Sequence, residues 1–212
     1  DIVVSANQFE ENQDAVMVSD GFNLCMTGNN LDDHLRHGVI IENTYGSVVS
    51  GNMIEECQGT AIILDRDCYG NTISANVIAH NGAGVDLRDA HGIAVSANTF
   101  TLMTEPALKI GESSGRVTVT GNNFCNSYIG EGKVRRNTDD LMAAGIQLQS
   151  TKNIAISGNV FSSLQTKAVL VNDSQPQSVL FSNNVLVDVQ SDHSALATEP
   201  SNNIVGSNIV SE

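Results

Sequence analysis

Val95-Ser96-Ala97-Asn98-Thr99-Phe100 is one copy of a six-residue segment whose recurrence along the chain decides the fold. Its centre returns as Ser5-Ala6-Asn7, Thr27-Gly28-Asn29, Ser50-Gly51-Asn52, Ser74-Ala75-Asn76, Thr120-Gly121-Asn122, Ser157-Gly158-Asn159, Ser182-Asn183-Asn184 and Gly206-Ser207-Asn208. The Asn-to-Asn steps are 22, 23, 24, 22, 24, 37, 25 and 24 residues. Three residues before each Asn stands an apolar side chain, such as Val4, Met26 or Val49, and two residues after it another, such as Phe9, Leu31 or Ile54. Self-similarity at a fixed period of this length marks a stack of equivalent units.

Between the anchors lies a second segment, small-apolar-x-apolar: Gly38-Val39-Ile40-Ile41, Ala61-Ile62-Ile63-Leu64, Gly84-Val85-Asp86-Leu87, Ala107-Leu108-Lys109-Ile110 and their equivalents. Both segments alternate with period two, the mark of strands with one buried face. Each repeat therefore reads as three short strands joined by three turns. A single repeat cannot bury its apolar side chains, but coils stacked at about 4.8 Å bury them continuously as columns. The expectation is an all-β parallel solenoid of about eight coils over residues 1–212, with the nine Asn lying over one another. Asn tolerates the left-handed backbone of a tight turn, and stacked amides satisfy one another.

These S/T-G/A-N-x-[FIL] and G/A-[VI]-x-[LIV] segments resemble the pectate-lyase-like superfamily of right-handed parallel β-helices over essentially the whole chain. The resemblance implies that the Gly-Val-x-Leu strand is the first of each coil. It also implies that active sites, where the superfamily has them, lie on the outer face of that strand and its flanking loops. Fold alone assigns no chemistry.

Composition narrows the partners. Aromatic residues make up 4% with no Trp, charged residues 16%, and the formal net charge is −14. A chain so acidic is repelled by phosphate backbones, which argues against nucleic acid. No apolar run reaches the length of a membrane span. Cys25, Cys57, Cys68 and Cys125 form neither a C-x-x-C pair nor a zinc pattern, and fall at four different phases of the coil.

Along the outer face of the first strand the x residues run Met17, Ile40, Ile63, Asp86, Lys109, Gln147 and Leu170. Two residues further on come Ser19, Glu42, Asp65, Arg88, Gly111, Gln149 and Asn172. The early coils thus expose an apolar stripe and the middle coils a charged cluster of Glu42, Asp65, Asp86, Arg88 and Lys109. Adjacent coils set Asp65 beside Arg88 and Asp86 beside Lys109. These are either surface salt bridges or a cleft holding an acid, a base and a cation for an anionic sugar. Asp65 and Asp86 are by type a glycosidase pair. β-helix lyases of similar fold use a Lys and an Arg on neighbouring coils with calcium, so the resemblance implies calcium as the candidate cofactor for Arg88 and Lys109, although no flanking calcium-ligand motif is present.

Three further features border the cluster. An insertion over 125–143 carries Lys133, Arg135 and Arg136, the only basic cluster in the chain, and leads into the Gln147 strand. Phe22, Tyr45, Tyr69 and His91 stand seven residues before successive anchors, so their rings form an outer ladder, either a stacked corner or a platform for sugar rings. Asp89 and His91 resemble the Asp-x-His element of alginate epimerases, without that family's longer motif. His34 and His37, in one loop with Asp32, Asp33 and Arg36, are a weaker metal-site candidate.

Neither end carries an amphipathic capping helix, so the chain reads as a piece of a longer solenoid or as one that packs against copies of itself. Trimers are common in proteins of similar fold. Two functions follow. One is a carbohydrate-active β-helix acting on an extracellular or cell-wall polysaccharide by elimination, epimerisation or hydrolysis. In it Asp65, Asp86, Arg88 and Lys109 are catalytic, and Glu42, Tyr45, Tyr69, His91, Lys133, Arg135, Arg136 and Gln147 bind substrate. The other is a non-catalytic β-helix module for binding, spacing or assembly.

Overall fold

The structure, a computed structural model, describes residues 1–125, 145–164, 166–190 and 193–211. Every regular element among them is a strand, and every strand pairing is parallel. The chain winds through three sheets in turn. The first sheet holds seven strands, from Asp14–Ser19 through His37–Glu42, Thr60–Asp65, Ala83–Leu87, Leu108–Ile110 and Ile146–Gln149 to Val169–Asn172. The second holds eleven, including the nine that precede the ladder Asn and the short corner strands Cys68–Tyr69 and Ala90–His91. The third holds the nine strands that follow the Asn. The architecture is a parallel β-helix of about eight turns, as the repeat predicts.

Register follows the repeat residue for residue. Ile73 lies between Val49 and Val95, Phe124 between Phe100 and Phe161, and Lys109 between Asp86 and Gln147. The long step is absorbed without a break, since Leu108–Ile110 pairs directly with Ile146–Gln149. Inward positions stack like on like. Phe100, Phe124 and Phe161 lie face to face with centroids 4.9 and 4.8 Å apart, and Phe181 meets Phe161 edge-on.

The Asn column is the polar spine of this core. Each ladder Asn after Asn7 offers its Oδ1 to both the backbone N–H and the side-chain amide of the Asn one coil below, at 2.9 to 3.1 Å. Its own Nδ2 also donates to a backbone carbonyl of that coil, as Asn98 does to Ile73 and Asn122 to Val95. One part of the sequence reading is corrected here. The left-handed residue of the turn is the one before the Asn: Ala6, Gly28, Gly51, Ala75, Ala97, Gly121, Gly158, Asn183 and Ser207 all have φ between 55° and 68°. The Asn is thereby free to aim its amide inward, and small residues dominate the strained position because the left-handed region disfavours bulk.

A second polar column runs five residues after the ladder, through Asn12, His34, Cys57 and Asn81. Asn81 fills both halves of the role, accepting from the Cys57 N–H at 2.9 Å and donating to the Ile54 carbonyl at 3.0 Å. His34, fully buried, fills one half: its Nδ1 accepts from the Asn12 N–H at 3.2 Å, and its Nε2 has no partner. Burial holds the His34 pKa below its usual value, against an upward pull from Asp32, Asp33 and Asp14. The unfolded chain therefore takes up this proton first. The stability His34 contributes as a neutral ring is present above the unfolded pKa of about 6.5 and is lost as pH falls through the lower folded value. His34→Asn is expected to shrink the drop in urea midpoint between pH 7.5 and pH 5, and to gain about 1 kcal/mol at neutral pH by completing the donor half. An unchanged acid slope in the variant would assign the pH dependence elsewhere.

Candidate functional site

The first sheet carries the charged cluster outward, as its period-two alternation requires. Ile63, Asp86, Lys109 and Gln147 follow one another in register, and Glu42 pairs with Asp65. The side chains then pair differently from the register. Arg88 binds Asp86 on its own strand through Nε at 2.9 Å and reaches Asp65 one coil below at 3.9 Å. Lys109 turns away from Asp86 to Glu105, which precedes it in the same coil. Glu42 is met by Arg66 at 3.2 Å.

Asp86, Arg88, Lys109 and Gln147 border one depression of about 380 Å³, together with Glu112, Ser113 and Gln149 from the following turn and strand. Asp65 and Glu42 lie on the two coils below and are not part of its wall. The predicted apolar stripe is only partly exposed. Met17 is 61% exposed and Ile40 half-buried, but Ile63 is 2% exposed, because it stands between Ile40 and Asp86 with Arg88 folded back over Asp86.

A second depression of about 360 Å³ opens at the corner where the first sheet turns into the second, lined by Asp67, Tyr69, Gly70, His91, Gly92 and Arg116. His91 lies in register above Tyr69, with its Nε2 3.7 Å from Asp89. Arg116 stands one coil higher and, among the described residues, meets no carboxylate, whereas Arg36, Arg66 and Arg88 each do. Asp67 and Arg116 do not lie on the first-strand face and so escape a reading confined to it, whereas Asp89 was found beside His91. The signal was the aromatic register itself, carried one coil beyond His91 to Gly115 and its neighbour Arg116.

The outer ladder forms. Phe22, Tyr45 and Tyr69 stack with centroids 5.9 and 5.0 Å apart and interplanar angles of 21° and 6°. Stacked this way, the rings cover one another's faces and turn their edges to solvent, so contact with a sugar is edgewise except at the ends of the stack. Lys133, Arg135 and Arg136 lie outside the described residues. His37 accepts from the Thr60 N–H through Nδ1, and its pKa is lowered by burial and, among nearby charges, by Arg88.

Among the described residues no three His, Cys, Asp or Glu side chains converge to hold a metal ion. Glu42, Asp65 and Asp86 are spread over three coils and engaged by arginines, so this donor set does not fit calcium. The His34–His37 loop gives no metal cluster either. None of the four cysteines is in a disulfide. Burial pushes the Cys57 thiol up to about 12 and raises that of Cys68, which leaves both unreactive near neutrality.

Repeat, register and spine define a right-handed β-helix. Residues 1–124, more than half of the chain, match the family model for the right handed beta helix region, and the chain belongs to that family. Among solved structures, the periplasmic alginate epimerase AlgG superposes with a TM-score of 0.74 at 16% identity, covering 98% of this chain and 51% of its own. The Azotobacter vinelandii mannuronan C-5 epimerase AlgE6 A-module gives 0.68 at 15%, covering 99% and 58%. DFA-IIIase from Arthrobacter chlorophenolicus, without its lid, gives 0.53 at 15%, covering 90% and 60%. At such identities the likeness establishes the fold, and this chain spans about half the length of the first of these proteins. No curated protein matches the sequence. No helix among the described residues is long and apolar enough to cross a membrane.

Proposed function

We propose that this chain is the β-helix of a carbohydrate-active protein whose substrate is a polysaccharide containing uronate sugars. The polymer lies across the outer face of the first sheet. Asp86, Arg88, Lys109 and Gln147 bind it there, with Asp65 and Glu42 fixing the arginines beside them. It passes over the turn at 111–115 into the corner depression, where the chemistry takes place.

The observation that carries this reading is a single depression lined by His91, Tyr69 one coil below and Arg116 one coil above, the arginine without a carboxylate partner among the described residues, with Asp89 3.7 Å from His91 Nε2. In the first-sheet cluster each cation already faces a carboxylate, which favours a role in binding over one in proton transfer. At the corner, Arg116 neutralises the sugar carboxylate and so acidifies the neighbouring C–H. His91, oriented by Asp89, takes that proton. The Tyr69 hydroxyl then either protonates the departing glycosidic oxygen, which leaves a carbon–carbon double bond, or returns a proton to the opposite face, which inverts the carbon. The alginate and mannuronan epimerases that share this fold are named for polysaccharides, which supports the general class.

The test is incubation with a panel of neutral and uronate polysaccharides, reading unsaturated-product absorbance, proton exchange at the carbon bearing the carboxylate, and reducing ends together. Unsaturated product or exchange on uronate polymers alone is the expected result. Reducing ends without unsaturation would move the chemistry to Asp65 and Asp86 as a hydrolytic pair. No turnover on any polymer would leave a non-catalytic module.

A further inference from the structure

From four residues before each ladder Asn to one residue after it, not one of the nine coils carries a charged side chain, in a chain with 24 acidic and 10 basic residues. The structure places these segments in register as one strip along the outer face of the second sheet and around its corner. Ser5, Thr27, Ser50, Ser74, Ser96 and Thr120 form a single column of hydroxyls two residues before the Asn, exposed or half-exposed throughout. Beside it run small or short side chains, among them Cys25, Val48 and Ala94, and the corner itself is Gly or Ala in coils one to seven.

We propose that this strip is the face on which a second copy of the chain docks. The charge distribution argues for that occupant. Two bodies of net charge −14 repel wherever their acidic faces meet, and this strip, uncharged along all nine coils, is a surface on which they approach without opposing charges. Docked face to face, they direct the charged outer faces of the two first sheets away from each other. Nine strands at about 4.8 Å spacing and six residues of width, five steps from first to last, give a strip roughly 38 by 16 Å, on the order of 600 Å² per copy and 1,200 Å² in the pair, the lower edge of specific interfaces. Short side chains let the two sheets settle at about the 10 Å of packed sheets, and a surface that repeats every coil is self-complementary about a two-fold axis.

Sedimentation equilibrium of the chain from about 1 to about 200 µM should show the mass climbing from monomer to dimer by mass action. Added salt should strengthen the dimer, because screening relieves the residual repulsion. Ser96→Glu and Thr120→Glu should each hold the protein monomeric with unchanged urea midpoints, while Thr101→Glu, in the Ser96 coil but outside the strip, should leave the dimer intact. A wild-type mass that stays monomeric, or glutamate variants that dimerise as the parent does, overturns the proposal. Loss of polysaccharide retention in Ser96→Glu with no change in mass also overturns it, and gives the strip to the polymer.

Discussion

Asn98→Ala is expected to destabilise the protein by about 3 to 6 kcal/mol, a large fraction of the roughly 5 to 15 kcal/mol that holds a domain folded. Asn98 is 1% exposed and lies near the middle of the ladder. Its Oδ1 accepts from both the backbone N–H and the Nδ2 of Asn76, each at 3.0 Å. Its Nδ2 donates to the Ile73 carbonyl and to Asn122 Oδ1, also at 3.0 Å each. Alanine leaves two donors and an acceptor of neighbouring coils unpaired where water does not reach, at about 1 to 3 kcal/mol per orphaned group. Asn7→Ala is the matched control, since Asn7 is exposed and only its donors bond upward to Asn29. That variant is expected to lose about 1 kcal/mol or less, because the groups it frees meet water. Urea denaturation of both decides the matter: equal, small losses would mean that the ladder is a passenger on the apolar columns.

The ladder also shows why so much of the fold was legible. In a solenoid each coil meets the same environment as the last, so every buried position is written several times over, and Val49, Ile73 and Val95 announce their column by repetition alone. Outer residues are constrained only by which face they occupy. The sequence therefore places Asp86, Lys109 and Gln147 in register correctly but does not tell where the Lys109 ammonium goes. Glu105, four residues earlier in an unrepetitive turn, captures it. Arg116 and Asp67 keep the phase of the ladder, six residues before Asn122 and nine before Asn76, but they stand at the corner and not on the first-strand face that the superfamily resemblance singles out. The left-handed residue was misassigned to Asn because Asn is the familiar occupant of that conformation. Here the residue before it takes the strain, and the amide is kept for the neighbouring coils.

His91→Gln is expected to lower kcat on a uronate polymer by about 10² to 10⁴, the usual share of a positioned general base. Stability should barely move. The His91 side chain is about one-third exposed, and its contact with Asp89 at 3.7 Å lies at the surface, where such contacts are worth about 0 to 1 kcal/mol. Arg116→Ala should act differently. The guanidinium holds the substrate carboxylate in the ground state and more strongly as charge builds in the transition state, so its removal raises KM and lowers kcat together, while binding of a neutral polymer is unaffected. Asp86→Ala and Lys109→Ala are expected to raise KM with kcat largely retained, because they line the approach rather than the reacting carbon. The four variants separate two chemistries on one fold. Full turnover in His91→Gln together with dead Asp86→Ala and Lys109→Ala would return the reaction to the first-sheet cluster, where paired carboxylates and cations stand on neighbouring coils. A dead His91→Gln with an unshifted unfolding curve puts it at the corner, where Arg116 meets no carboxylate among the described residues.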